Sequence, residues 1–163
     1  MFPPALGQRR EVRGRQRHAL LAVLWVGCSA APSVPQTSPT VLGAAQVSAF
    51  VSTKDGARAL AFYQGVLGLP LVKDDPGALV FEVHGTMLRV QRVKEVLVAP
   101  YTVLGWNVPD IHKAVEQLSA RGVVFERFGF FVQDAAGVWK APDGTQVAWF
   151  KDPDGNLLSL AQF

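Results

Sequence analysis

Phe150-Lys151-Asp152-Pro153-Asp154-Gly155-Asn156-Leu157-Leu158-Ser159-Leu160-Ala161-Gln162-Phe163 occupies positions 150–163. An apolar strand ends at Phe150, and a second runs from about residue 156 to 162. Between them stand turn formers with separate jobs. Proline sets φ, glycine accepts a positive φ, and the Asp and Asn side chains bond to nearby backbone. The stretch therefore predicts a β-hairpin, and turn plus strands alone supports no more than that. Asp152 and Asp154 also suggest a calcium loop. An EF-hand loop needs more oxygens and a distant glutamate, however, and turn chemistry accounts for both acids more simply.

Working outward, the hairpin is the end of a repeated unit. Residues 46–52 alternate, with Val47, Ala49 and Val51 on one face and Gln46, Ser48, Phe50 and Ser52 on the other. This is the pattern of a strand with one buried face. Asp55 is placed to cap a helix. Ala59, Phe62, Tyr63, Val66 and Leu67 form its apolar stripe, and Gly68 ends it. Strands are predicted over 69–73, 78–83 and 86–93, the last two joined by a two-residue turn at His84-Gly85. The same order then recurs: a strand over 102–108, a helix capped by Asp110 with the stripe Ile111, Ala114, Val115 and Leu118, a stop at Gly122, and strands over 123–128, 145–150 and 156–162. Asp55 and Asp110 lie 55 positions apart, and Gly68 and Gly122 lie 54 apart. A βαβββ unit has been used twice, which makes the fold class α+β with modules at about 45–98 and 101–163. Residues 129–144 are extra, and carry Gln133 and Trp139.

The formal charge of +3 is unevenly placed. Residues 1–28 hold five arginines (Arg9, Arg10, Arg13, Arg15 and Arg17) against Glu11. Residues 29–163 are left with eleven basic and twelve acidic side chains, a charge of −1. A nucleic-acid partner wants a basic face on the folded part, and none is expected here. Residues 19–27 are an apolar run of nine, short of the roughly 20 residues that span a bilayer. A basic segment followed by a short apolar one has the form of a secretory signal. Trp25-Val26-Gly27-Cys28 resembles a bacterial lipobox, with Trp25 departing from the usual leucine. On that reading Cys28, the only cysteine, is lipidated, and the protein is exported and tethered to a membrane. The other reading is a misassigned start and a cytoplasmic domain. Residues 29–44 have no charge and three prolines, a linker composition.

Three stretches carry a family resemblance. Phe62-Tyr63-Gln64-Gly65-Val66-Leu67-Gly68-Leu69 resembles the first-helix signature of the vicinal-oxygen-chelate (VOC) superfamily, which includes glyoxalase I, bleomycin-resistance proteins and extradiol dioxygenases. Val108-Pro109-Asp110-Ile111 with Ala120-Arg121-Gly122-Val123 resembles its second-helix counterpart, and residues 150–163 resemble its C-terminal hairpin. Gly105-Trp106-Asn107-Val108, Phe125-Glu126-Arg127-Phe128 and Val147-Ala148-Trp149-Phe150-Lys151-Asp152 resemble, more narrowly, a branch of small glyoxalase-like proteins with no settled activity. The resemblance covers residues 45–163 as a single domain. It implies that the two modules form a U-shaped eight-stranded mixed sheet around a cup. Metal-using members place a ligand on the first and fourth strands of each module, and the metal polarises vicinal oxygens of the substrate. Counting from the matching motifs, those four positions are Ser48, Arg89, Val103 and Ser159. None is an ordinary ligand for a divalent metal, and the Arg89 guanidinium would repel one. The neighbouring positions offer no His or carboxylate either. His18 lies in the leader, His84 at a turn and His112 on a helix, with no partner at ligand spacing.

Metal is therefore expected to be absent, and strand alternation lines the cup with Ser48, Phe50, Glu82, Arg89, Gln91 and Ser159. Trp139 and Gln133 either cover its mouth or pack on the outside of the sheet, and Trp106 and Trp149 are assigned to core layers. Such a pocket suits a small organic anion. Alternatively, Glu82 and Arg89 form a diagonal cross-strand pair and the cup is only solvated. Three functions follow. The favoured one is metal-independent binding of a small molecule, by sequestration as in bleomycin resistance. The second is a non-catalytic interaction module tethered through Cys28. The third is a lyase, epimerase or dioxygenase with a divalent metal, which requires the ligand positions to lie elsewhere. A homodimer is a further expectation from the resemblance.

Overall fold

The computed structural model describes residues 41–163. The leader, Cys28 and most of the linker lie outside the described residues. The first module runs β1 (Ser48–Thr53), α1 (Gly56–Leu60), β2 (Leu71–Asp75), β3 (Ala78–Val83) and β4 (Thr86–Arg92). The second runs β5 (Leu104–Asn107), α2 (Ile111–Ser119), β6 (Trp139–Lys140), β7 (Gln146–Lys151) and β8 (Leu157–Gln162). The strands form two four-stranded sheets, ordered β1-β4-β3-β2 and β5-β8-β7-β6. In each, the first strand pairs parallel to the fourth and the others antiparallel. The expected duplication is present, with its eight strands divided between two sheets.

The local signals act largely as the residue types predict. The Asp55 carboxylate accepts from the amides of Ala57 and Arg58, and that of Asp110 from Lys113. Each satisfies donors that a helix start leaves without partners. His84 and Gly85 both have positive φ, as a tight hairpin turn requires. Two expectations need correction. The first helix is α-helical only to Leu60, and Ala61–Val66 is a π-helical turn, with the Leu67 amide bonded to the Phe62 carbonyl five residues back at 2.9 Å. The widened turn still buries Tyr63, on the same stripe as Ala59 of α1.

The second correction concerns the strand predicted over 123–128. Only Phe125 bridges to Phe150 there, and the Glu126 amide donates to the Trp149 carbonyl at 2.7 Å. The chain then leaves the sheet edge and returns as β6, beside Val147 and Gln146. The edge strand is thus split in two by the insert. The Gln133 side chain accepts from the Phe128 amide and donates to the carbonyls of Glu126 and Gly137. It takes over backbone groups that a continuous ladder would have paired. Gln133 is therefore a clamp inside the insert and not a cover for the cup.

Both modules share one core. Phe150 of β7 lies 6.3 Å from Trp106, 5.6 Å from Phe125 and 6.5 Å from Phe62 of the first module, centroid to centroid. Tyr63 packs on Phe81 at 5.8 Å. Polar groups complete the join. Asp152 is only 5% exposed. Its Oδ1 accepts the amides of Asp154 and Asn156, and its Oδ2 accepts the Tyr63 hydroxyl and the Asn156 side-chain amide, all at 2.8–2.9 Å. Asn156 Nδ2 also donates to the Ser52 carbonyl, and Thr53 Oγ1 donates to Asp154 at 2.6 Å. Gly155 takes the positive φ that the turn needs.

Burial, and then the adjoining Asp152 charge and hydrogen bond, push the Tyr63 hydroxyl well above the ordinary phenol range. The stability linked to a raised pKa is fully present below the unfolded value, about 10, and declines as pH rises beyond it. Tyr63→Phe is expected to cost about 2 kcal/mol, since it removes one donor from a buried carboxylate. It should also abolish the part of the alkaline loss of stability that begins near pH 10. Urea denaturation of both proteins across that range measures the two effects.

Candidate functional site

Each sheet has one face against the core and one turned away from it. In the first sheet, Phe50 pairs with Arg89, Ser48 with Met87, and Ser52 with Gln91. On β3, Val80 lies opposite Arg89 and Glu82 opposite Met87. Partners across a ladder share a face, so Ser48, Phe50, Glu82, Arg89 and Gln91 lie together on the face away from the core, as expected from alternation. The face is open. Phe50 is 52% exposed, and Ser48, Glu82 and Gln91 are exposed too.

Glu82 does not pair with Arg89. Its Oε1 accepts the Gly85 amide at 2.6 Å and so belongs to the hairpin turn. Arg89 is half-buried, and its side chain makes no hydrogen bond or ion pair among the described residues. Among those residues no group of three or more His, Cys, Asp or Glu side chains could hold a metal ion. The donor chemistry of Ser48, Arg89, Val103 and Ser159 likewise does not fit a divalent cation.

On the second sheet, Ser159 lies between Gly105 and Trp149. It is 8% exposed, and a side chain added at Gly105 would come within 2.6 Å of its hydroxyl. Glycine at 105 is what lets Ser159 lie flat on this face. Trp149 was assigned to the core, and the structure places it on the opposite face. Ala148 and Phe150 are the buried residues of β7, so a period of two turns Trp149 outward. There it meets an aromatic group contributed by the insert. Phe131 stacks on Trp149 at 5.4 Å and 3°, and on Trp139 at 4.5 Å and 29°. Phe128 meets Trp149 edge-on at 5.4 Å, and Phe130 packs on Phe131 at 4.6 Å. Trp149 Nε1 donates to Thr102 Oγ1 at 3.1 Å. The parity of Trp149 against Phe150 was readable in the sequence. That the insert folds back onto it was not.

The insert is also tied to α2. His112 Nε2 lies 2.7 Å from Asp134 Oδ2. Desolvation pushes the Asp134 carboxyl up, but hydrogen bonds from His112, Val138 and Ala136 outweigh it and hold the group below the usual carboxylate range.

Three cavities are described, of about 340, 400 and 130 Å³. None is lined by Ser48, Phe50, Glu82, Arg89, Gln91, Trp139 or Ser159. The first lies on the core side of the second sheet, beneath α2, between Leu118, Trp106 and Leu69.

The model of the Glyoxalase/Bleomycin resistance protein/Dioxygenase superfamily matches residues 45–160, and the chain belongs to this family. Its fold is shared by solved structures. A superfamily member from Sphaerobacter thermophilus is 26% identical with a TM-score of 0.57, over 72% of this chain and 96% of that one. A lactoylglutathione lyase from Agrobacterium tumefaciens is 18% identical with a TM-score of 0.57, over 73% and 93%. A member from Alicyclobacillus acidocaldarius is 19% identical with a TM-score of 0.56, over 72% and 90%. No curated protein matches the chain.

The two stacking contacts of Phe131 are worth about 1–3 kcal/mol together. Phe131→Ala is expected to lower stability by that amount and to shift tryptophan emission to the red as Trp139 and Trp149 gain solvent. Fluorescence-detected denaturation reads both changes at once.

Proposed function

We propose that this glyoxalase-family domain binds a small organic anion without a metal, on the face that carries Arg89. The observation that supports this most is Arg89 itself. It stands at the fourth-strand position of the first module, where metal-using relatives are expected to hold a ligand. It is half-buried, and the two acids that the ladders place on that face are engaged elsewhere, Glu82 by the Gly85 amide and Asp75 by Lys73 and the amides of Gly77 and Ala78. A guanidinium with free donors suits a carboxylate or phosphate bidentately. Phe50, opposite Arg89 in the ladder, adds apolar surface, and Ser48 and Gln91 add hydrogen-bonding groups. The Trp139 and Trp149 rings of the second sheet add surface suited to a planar molecule, and Ser159 adds a hydroxyl beside them. Binding of this kind is sequestration. Among the described residues no second group stands beside Glu82 to complete an acid–base pair, so no catalytic step is assigned.

The full chain incubated with Zn, Ni, Mn or Fe(II) and then desalted is expected to retain far less than one equivalent of metal by elemental mass spectrometry. Aromatic acids and small phosphate esters should raise its melting temperature, because a ligand of the native state stabilises by mass action. Arg89→Ala should weaken the best of these by roughly 10- to 100-fold, the range of a hydrogen bond to a charged group. One retained equivalent of metal, or an affinity indifferent to Arg89→Ala, overturns the proposal.

A further inference from the structure

The cavity under α2 has no part in the proposed binding face. Its volume of about 340 Å³ lies in the range of small-molecule sites. Its walls are mostly apolar, with Trp106, Phe150 and Leu160 from the sheet, Leu118 from α2, and Leu67 and Leu69 from the connection after the first helix. Phe150 and Leu160 are fully buried, yet Trp106, Leu118, Leu67 and Leu69 stay half-buried although they are packed against the core. The second helix and the connection from the first module stop short of closing over them.

The polar lining residues, Asn107, Gln117 and Arg121, are all exposed and so mark the solvent side. Arg121 Nη1 donates to the Val66 carbonyl at 3.0 Å, which holds the guanidinium over Gly68. Its remaining donors have no partner among the described residues. The lining contains one cation and no Asp or Glu.

We infer that this cavity is a second small-molecule site, which takes a monocarboxylate with an apolar body. The apolar part lies between Trp106, Phe150 and Leu160, and the carboxylate meets Arg121 at the mouth. An apolar body alone fits the walls, but only an anion answers an arginine with no acid beside it. The Arg121–Val66 bond pre-orients the guanidinium, so less freedom is lost when the carboxylate arrives.

Sodium octanoate and 1-octanol serve as probes, titrated into the full chain by calorimetry and followed by NMR. Octanoate is expected to bind at one saturable site, with nuclear Overhauser contacts from its methyl group to the Trp106 indole. Arg121→Gln should weaken octanoate by roughly tenfold, the loss of one charge-assisted hydrogen bond, and leave octanol unchanged. Leu118→Trp should fill the cavity and abolish both. The loss caused by Arg121→Gln should persist undiminished in an Arg89→Ala background, which separates this site from the open face of the first sheet. Contacts to Trp139 or Trp149 in place of Trp106, no saturation below the micellar range, or indifference to Arg121→Gln would each refute the site. Should Leu118→Trp instead turn a dimer into a monomer in sedimentation, the cavity is a contact between copies and the inference fails. Octanoate mapping on the unmodified chain decides the matter even where Leu118→Trp does not fold.

Discussion

The Asp152 carboxylate accepts four hydrogen bonds, two from its own turn, one from Asn156 and one from Tyr63 of the other module. A buried carboxylate is costly unless its lone pairs are met, and the fourth of these donors, the Tyr63 hydroxyl, reaches it only when the modules are docked. The turn at 152–156 is thereby bound to the start of the first module. Thr53 and the Lys54 amide take Asp154, Asn156 takes the Ser52 carbonyl, and Arg58 takes the Pro153 carbonyl. One core then forms from two repeats. Phe150, immediately upstream of this turn, lies between Trp106 and Phe125 of its own module and Phe62 of the other.

The insert shows how a sheet edge can be broken at little cost. Leaving the edge after Glu126 strands backbone groups, and Gln133 pairs three of them with its side-chain amide. Arg127 binds the carbonyls of Asp134 and Ala135, and Asp134 caps the amides of Ala136 and Val138. With its polar groups satisfied, the loop is free to lay Phe128 and Phe131 on Trp149. What began as a duplicated module has become asymmetric. The first sheet presents Arg89 on an open face, and the second presents a stack of rings.

Ser159 packs on Gly105, which has no side chain to oppose it. Arg89 carries a charge of the wrong sign for a cation, and Glu82, an acid on its face, serves the hairpin beside Gly85. The described cavities lie away from this face, and the one beneath α2 arises where helix and sheet of the second module meet the connection from the first. The open face of the first sheet and the cavity beneath α2 are therefore different places in this fold, because the first is exposed sheet and the second is incomplete packing between modules.

The sequence by itself determined the duplicated α+β unit, the two aspartate caps, the glycine stops and the set of residues sharing a face with Arg89. Each depends on a local rule: a period of two in strands, three to four in helices, and the backbone freedom of glycine. Tertiary structure alone decided that Asp152 answers Tyr63, 89 positions away, and that Thr53 answers Asp154. Turn formers read locally are satisfied by their own turn, and nothing local reveals a partner on the other module. The same holds for the split edge strand. Residues 123–128 have strand-like composition, but Gln133 and the aromatic stack draw the chain off the sheet, and those contacts exist only after the insert has folded back.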